Sequence, residues 1–214
     1  MLVLEEIYLS HKNEYSEVFN LRIQRGLSWL RKSVQLDKDW ELKFISLWAS
    51  LQAVYMENES AVYDKGSFNH FIDKVIAHDV EFKLDDVIWY KYNSAIKLLL
   101  INPYIYQGFW DFKHGKVELN DWKLEFDYKK KFIQKVLDDK NSKELLRILF
   151  ECFSTIHKQL VSGGSTSNSS IMRKQLKASC NILAALNYNF MLILLENKEC
   201  IDSDKPYYPI VQIS

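Results

Sequence analysis

The sequence predicts an all-α protein, a single-domain antiparallel helical bundle, and three observations carry that prediction. Apolar residues return at spacings of three and four through successive segments, the period of a helix with one buried face. Six glycines and three prolines in 214 residues are too few for the turns of a β-sandwich. No alternation of strand-like and helix-like runs supports a parallel sheet, and the short links between periodic segments favour antiparallel neighbours. A chain of this length builds one substantial core. No stretch has the composition of a linker, so residues 1–214 are read as one domain, with 197–214 as an extended C-terminal tail.

The first periodic segment is Glu14–Val34, in which Phe19, Ile23, Leu27, Leu30 and Val34 share a face. Asp37–Asp39 breaks it and supplies the cap of the next helix. There, Phe44, Leu47, Trp48, Leu51, Val54 and Tyr55 trace one face. Ser67–Ala77 carries Phe68, Phe71, Ile72 and Val75 and reads as a short third helix, with Ser67 as its N-cap after Gly66. Leu84–Ile101 is a further helix ended by Asn102-Pro103, because the residue before proline avoids the helical region.

The aromatic stretch Tyr104–Phe112 is expected as an irregular segment laid over the core. Asp121–Val136 gives another helix, on which Lys129-Lys130-Lys131 reads as a solvated face balanced by Glu125 and Asp127. Lys143–Leu160 follows, with Leu145, Leu149, Cys152 and Ile156 in one stripe widened by Phe150 and Phe153. The last long helix starts near Asn168–Ser170 and is apolar nearly all round from Ile182 onward, the mark of a central buried element. The tail Pro206–Val211 is expected to be extended and docked on the body.

Charge and cysteine content narrow the function classes. Lys plus Arg (28) equals Asp plus Glu (28), so no global field attracts a polyanion and any nucleic-acid contact has to come from a local patch. Cys152, Cys180 and Cys200 are scattered and lie in no metal-ligand spacing, which suggests free thiols in the cytoplasm. His11, His70, His78 and His114 are equally dispersed, and neither a metal site nor another cofactor is expected. The start is acidic early and its apolar run is too short for a signal peptide. The longest apolar run, Ile182–Leu195, is shorter than a membrane span, so no membrane association is expected.

Between the last two helices lies the polar, glycine-rich stretch Ile156–Met172, IHKQLVSGGSTSNSSIM. It resembles the active-site loop of the HEPN family, all-helical domains of prokaryotic toxins and antiviral ribonucleases, where the loop reads R-N-x-L-x-H-G. The resemblance extends, in order, to Arg25–Ser33 and Glu41–Tyr55 as the first two helices. It continues through Ile148–Phe190 as motif helix, loop and last helix, and to PYYPIV near the C-terminus. It implies a bundle of the HEPN type, a homodimer that brings two loops into one cleft, and an RNA-directed role in a defence or toxin–antitoxin system. An antitoxin or defence protein would be a further partner.

In active relatives the loop's histidine moves the proton of an RNA 2′-hydroxyl, while its arginine steadies the scissile phosphate, and no metal takes part. An imidazole titrates near neutrality, and a guanidinium grips phosphate through two parallel hydrogen bonds. Carried over residue by residue, the arginine position holds His157, the asparagine position Lys158 and the histidine position Ser162, while Gln159, Leu160, Gly163 and Gly164 keep the pattern. Ser162 is no base at neutral pH, and no carboxylate is in view to orient His157 toward it. His157 also sits one turn from Phe153 on the edge of an apolar stripe, the ordinary setting of a packed structural histidine.

The expectation is therefore a catalytically degenerate protein that binds RNA or another protein. The alternatives are an active metal-independent endoribonuclease using His157 and Ser162, and a purely structural interaction module. For binding, the backbone N–H groups at the start of the last helix would join Lys158, Gln159, Gly163, Arg173, Lys174 and Lys177 around a phosphate. The competing reading is ordinary capping by Asn168, Ser169 or Ser170 with solvated lysines nearby.

Overall fold

A computed structural model describes residues 2–56, 65–170, 172–201 and 208. All regular structure among them is helical, in ten α-helices: α1 Leu2–His11, α2 Glu17–Gln35, α3 Trp40–Tyr55, α4 Lys65–His78, α5 Lys83–Asp85, α6 Asn93–Leu100, α7 Gln107–Lys113, α8 Leu119–Asp138, α9 Ser142–Val161 and α10 Arg173–Glu196. Three 3-10 turns and one π-helical stretch complete it. The N-terminal helix α1 had no counterpart in the sequence reading. It lays Leu4 and Tyr8 into the core, and the Tyr8 hydroxyl donates to Asn20 at 2.8 Å.

Local chemistry fixes the helix starts. The Ser16 hydroxyl accepts from the Phe19 N–H at the start of α2, Asp39 from Leu42 at α3, and Asn141 from Glu144 at α9. The Asp39 cap is the one expected between the first two periodic segments. Ser67 is not a cap, because α4 already begins at Lys65 and Ser67 lies inside its first turn. The α5 start is capped from a distance: Asp79 accepts the N–H groups of Lys83 and Leu84, each at 2.8 Å.

The helix expected over Leu84–Ile101 is not continuous. Asp86–Lys91 is π-helical, and the Tyr92 N–H reaches the Val87 carbonyl at 2.9 Å. The apolar register explains the break. Leu84, Val87 and Ile88 are buried, as are Ile96, Leu99 and Leu100, and the second set follows the first by twelve residues. Three α-helical turns take about 11 residues, so one residue is looped out to keep both sets on the core side. Trp89 is anchored in this stretch by its indole N–H, which donates to Ser142 at 2.7 Å.

The core gathers around α2, α3 and α10. Gly26 lets α2 and α3 touch: a Cβ there would lie 3.0 Å from Val54 Cγ1, 3.4 Å from the Ser50 carbonyl oxygen and 2.7 Å from Met191 Cε. Ser50 donates to the Gly26 carbonyl at 2.8 Å across the same crossing. Arg22, fully buried, donates to the Val54 and Met56 carbonyls at 3.1 and 3.2 Å and so closes the C-terminus of α3 with a cation.

Sequence neighbours α2–α3 and α8–α9 are antiparallel, as short links require. Helices α3 and α10 instead run parallel: Cys180 lies against the Trp40 carbonyl at 3.4 Å, and Asn187 donates to the Leu47 carbonyl at 2.8 Å. No loop joins these two helices, so packing rather than connection length sets their direction. Among the described residues α10 alone is long and apolar enough to cross a membrane, and its apolar surface lies in the core of the bundle instead.

Two further expectations are revised. The aromatic stretch over Tyr104–Phe112 is ordered as a 3-10 turn, Pro103–Ile105, followed by α7, with Trp110 donating to the Tyr104 carbonyl at 2.8 Å. The region after α10 opens with a 3-10 turn, Lys198–Cys200, rather than extended chain, and buries Cys200 and Ile201. The PYYPIV stretch lies outside the described residues except for Tyr208, whose carbonyl accepts from Arg25 at 2.5 Å.

The crossing at Gly26 yields a stability prediction. Gly26→Leu forces a branched side chain into the contact of α2, α3 and α10 and should destabilise the protein by about 2–3 kcal/mol. The urea midpoint of unfolding checks it, and an unchanged midpoint would mean that the crossing tolerates separation.

Candidate functional site

The loop after α9 is built as a helix ending. Ser162 is the C-cap and Gly163 takes the left-handed conformation at φ 68°. The Gly163 N–H reaches the Leu160 carbonyl at 3.3 Å and the Gly164 N–H the Gln159 carbonyl at 2.7 Å. These are the two bonds of a Schellman motif, which satisfies the orphan carbonyls of the last turn. Nothing lies within 4 Å of a Cβ built on Gly163, so that glycine is required by its backbone conformation alone. The pair of glycines, read from sequence as part of a ligand loop, has a sufficient structural cause.

His157 is held away from Ser162. Its ring stacks on Trp48 of α3, with centroids 5.3 Å apart and planes 20° from parallel. Its Nδ1 is buried and has no hydrogen-bond partner among the described residues. Burial pushes the imidazole pKa below its ordinary value, so the ring is neutral at pH 7. Ser162 is exposed, and no hydrogen bond joins it to His157 among the described residues. A nucleophile and base need that contact, and the base needs a carboxylate to orient it. Neither condition is met here.

The cluster of expected binding residues is divided. Arg173 opens α10 beside Glu41 of α3: its guanidinium lies 3.4 Å from the Glu41 carboxylate and donates to Asn168 at 3.0 Å. Glu41 also accepts the Asn168 N–H at 3.1 Å. A carboxylate of the chain thus stands where an incoming phosphate would arrive, and it neutralises the arginine. Asn168, Ser169 and Ser170 do not cap α10, which starts after Met172 with no side-chain cap. Lys174 and Lys177 are exposed, and Lys177 lies 5.5 Å over the Trp40 ring. Gln159 donates to the Tyr104 carbonyl at 2.9 Å and ties α9 to the turn before α7.

Lys158 belongs to a different place, a cleft of about 230 Å³ between α8, α9 and the start of α7. Trp122 and Phe126 of α8 form its wall, stacked at 5.0 Å with planes 22° apart, and Tyr106 meets Phe126 edge-on at 5.5 Å. Gly108 admits this wall, since a Cβ there would come within 3.0 Å of the Trp122 ring. Ser154 in the lining is 3 % exposed, and its hydroxyl has no hydrogen-bond partner among the described residues.

Charge in the cleft is ordered. Lys129 lies 3.3 Å from Glu151 and 4.8 Å over the Tyr106 ring, and Lys65 makes a short ion pair with the same carboxylate. Burial alone would raise the Glu151 pKa. The hydrogen bond from Lys65 and the charges of Lys129 and Lys65 outweigh it, so the carboxylate stays below its ordinary range and ionised. Lys158, at the rim, pairs with no carboxylate among the described residues. The sequence reading treated Tyr104–Phe112 as packing and Lys129 as a solvated face. The missed signal was Trp122, Phe126 and Lys129 at spacings of four and three on one face of α8.

The buried Cys152 and Cys180 thiols are each pushed up to about 12 by desolvation and are unreactive at neutral pH. Among the described residues no three His, Cys, Asp or Glu side chains group as metal ligands would.

The Trp48–His157 stack gives a pH prediction. A histidine whose folded pKa is depressed contributes stability that is complete above the unfolded value of about 6.5 and lost as pH falls toward the folded value. His157→Phe keeps a ring on Trp48 and removes the titration. Denaturation midpoints at pH 7.5 and 5.5 should therefore fall less steeply in the variant than in the wild type, and equal losses would place the imidazole in solvent. The chain matches no family model, no curated protein and no solved structure.

Proposed function

We propose that this chain is a non-catalytic RNA-binding protein on a HEPN-like scaffold, and that its ligand site is the aromatic cleft between α8 and α9. One observation carries the reading: a stacked Trp122–Phe126 wall stands between two lysines, with Lys158 at the rim unpaired among the described residues. Aromatic faces take up unpaired bases without regard to sequence, and a nearby ammonium group holds the backbone phosphate. A volume of about 230 Å³ is below the roughly 300–1,000 Å³ of drug-sized ligand sites. It suits one base of a single strand, with the rest of the strand outside.

The loop supports a binding role over a cutting one. His157 is stacked and neutral, Ser162 caps a helix, and Glu41 answers Arg173. The same resemblance gives the setting we propose: a prokaryotic defence or toxin–antitoxin system in the cytoplasm, with a second copy, an antitoxin or a defence protein as partner.

Fluorescence anisotropy of a labelled, unstructured RNA oligonucleotide tests the proposal. Phe126→Ala, at the half-buried ring of the wall, should weaken binding about tenfold, since base–aromatic stacking contributes about 1–3 kcal/mol per base. Lys158→Ala, a substitution at an exposed position, should weaken binding and lower the slope of log affinity against log salt by about 0.7. RNA affinity that is absent, or unmoved by both substitutions, contradicts the reading.

A further inference from the structure

The cleft along α8 is lined unevenly. Its aromatic wall comes from α8, whereas its floor comes from α9 and is polar. There Glu151, Ser154, Thr155 and Lys158 follow at spacings of three, one and three and so share one helix face. A serine inside a helix commonly turns its hydroxyl back to the carbonyl four residues earlier. Thr155 does so, donating to the Glu151 carbonyl at 3.3 Å. Ser154 does not: it is buried, and its hydroxyl has no hydrogen-bond partner among the described residues. A buried hydroxyl left unpaired is destabilising, and a ligand that bonds it relieves that strain on the fold.

The charges favour a hydrogen-bond donor over an anion inside the cleft. Glu151 lines the floor, and Glu125 stands on α8 with a carboxylate oxygen 3.4 Å from where a Cβ on Gly108 would lie. Lys129, in the same lining, is already held by Glu151 and the Tyr106 ring. A phosphate therefore stays at the rim with Lys158, and the base goes in. The Glu151 carboxylate accepts from Lys65 and Lys129, which leaves about two of its roughly four lone-pair sites for a ligand.

We propose that the base held in the cleft is guanine. Glu151 accepts its ring N–H and exocyclic amine side by side, and the Ser154 hydroxyl donates to its carbonyl oxygen. Guanine recognition rests on the RNA-binding reading of the same cleft. A base lying flat on the Phe126 ring turns its edge to α9, where Glu151 and Ser154 are one turn apart with Cβ atoms about 5–6 Å from each other. Among the four RNA bases only guanine presents two adjacent donors and then an acceptor on its Watson–Crick edge. Uracil turns a carbonyl oxygen toward the carboxylate on either side of its single N–H. Adenine and cytosine donate there through the amine alone.

Fluorescence anisotropy with short oligouridines carrying guanosine, inosine, adenosine or uridine at the centre tests the assignment. The wild type should bind the guanosine oligonucleotide about tenfold more tightly than the uridine one, the discrimination expected of one bidentate base contact. Inosine, which lacks only the exocyclic amine, should fall between them. Glu151→Gln should bring the guanosine and uridine affinities together. Ser154→Ala should weaken the guanosine complex several-fold without lowering the urea midpoint of the free protein, a split that a merely structural serine would not give. Equal, measurable affinity for the guanosine, adenosine and uridine oligonucleotides overturns guanine recognition and leaves RNA binding standing. So does a guanosine preference that both variants keep. No affinity for any of the four removes both.

Discussion

The missing side chain at Gly26 is the constraint on which the arrangement of this molecule depends. It allows α2 and α3 to meet with Ser50 bonded to the Gly26 carbonyl, and it leaves room for Met191 of α10 at the same crossing. Once α3 is seated, Arg22 closes its C-terminus, and Asn187 on α10 fixes the parallel register through the Leu47 carbonyl. An arginine with no exposed surface is tolerable there because it faces the negative end of the helix dipole and donates to carbonyls that lack intrahelical partners.

The position of α3 then decides the chemistry of the glycine loop, although the loop is more than 100 residues further along the chain. Trp48 projects from α3 under His157, and Glu41, two residues after the Asp39 cap, meets Arg173 at the start of α10. One contact removes an imidazole from solvent and lowers its pKa; the other puts a carboxylate at a helix N-terminus that would otherwise favour an anion. With the glycines accounted for as a helix ending, the loop has geometry without a working pair. The residues that retain unsatisfied capacity lie in the cleft along α8, in Lys158, the Ser154 hydroxyl and the half-buried ring of Phe126.

Much of the bundle was legible in the sequence, because burial on one helical face writes a period that survives any arrangement of neighbours. Phe44 through Tyr55, Leu145 through Ile156 and Leu176 through Ile193 are buried at the positions the spacing indicates. The errors have equally local causes. Leu84–Ile101 carries two good helical stripes one residue out of phase, and periodicity within either one does not reveal the π-helical turn that reconciles them. Tyr104–Phe112 looks irregular because Ile105 and Tyr106 are buried in the core while Phe109 packs on Trp122 of α8. At the loop, the identities of His157 and Ser162 were readable, and so was the absence of a nearby carboxylate. The Trp48 stack, the Glu41–Arg173 pair and the separation of Lys158 from Arg173 depend on tertiary contacts between distant segments, which no local pattern encodes.

The loop is a structural helix ending, and the proposed role of the protein is to hold RNA without cutting it. The most direct test is incubation of the purified protein with a mixed, end-labelled RNA pool in EDTA, followed by analysis of fragment ends. The account predicts full-length RNA at every time point, recovered intact from the protein-bound fraction. Fragments with 2′,3′-cyclic phosphate ends that disappear with His157→Ala would contradict it and make His157 catalytic.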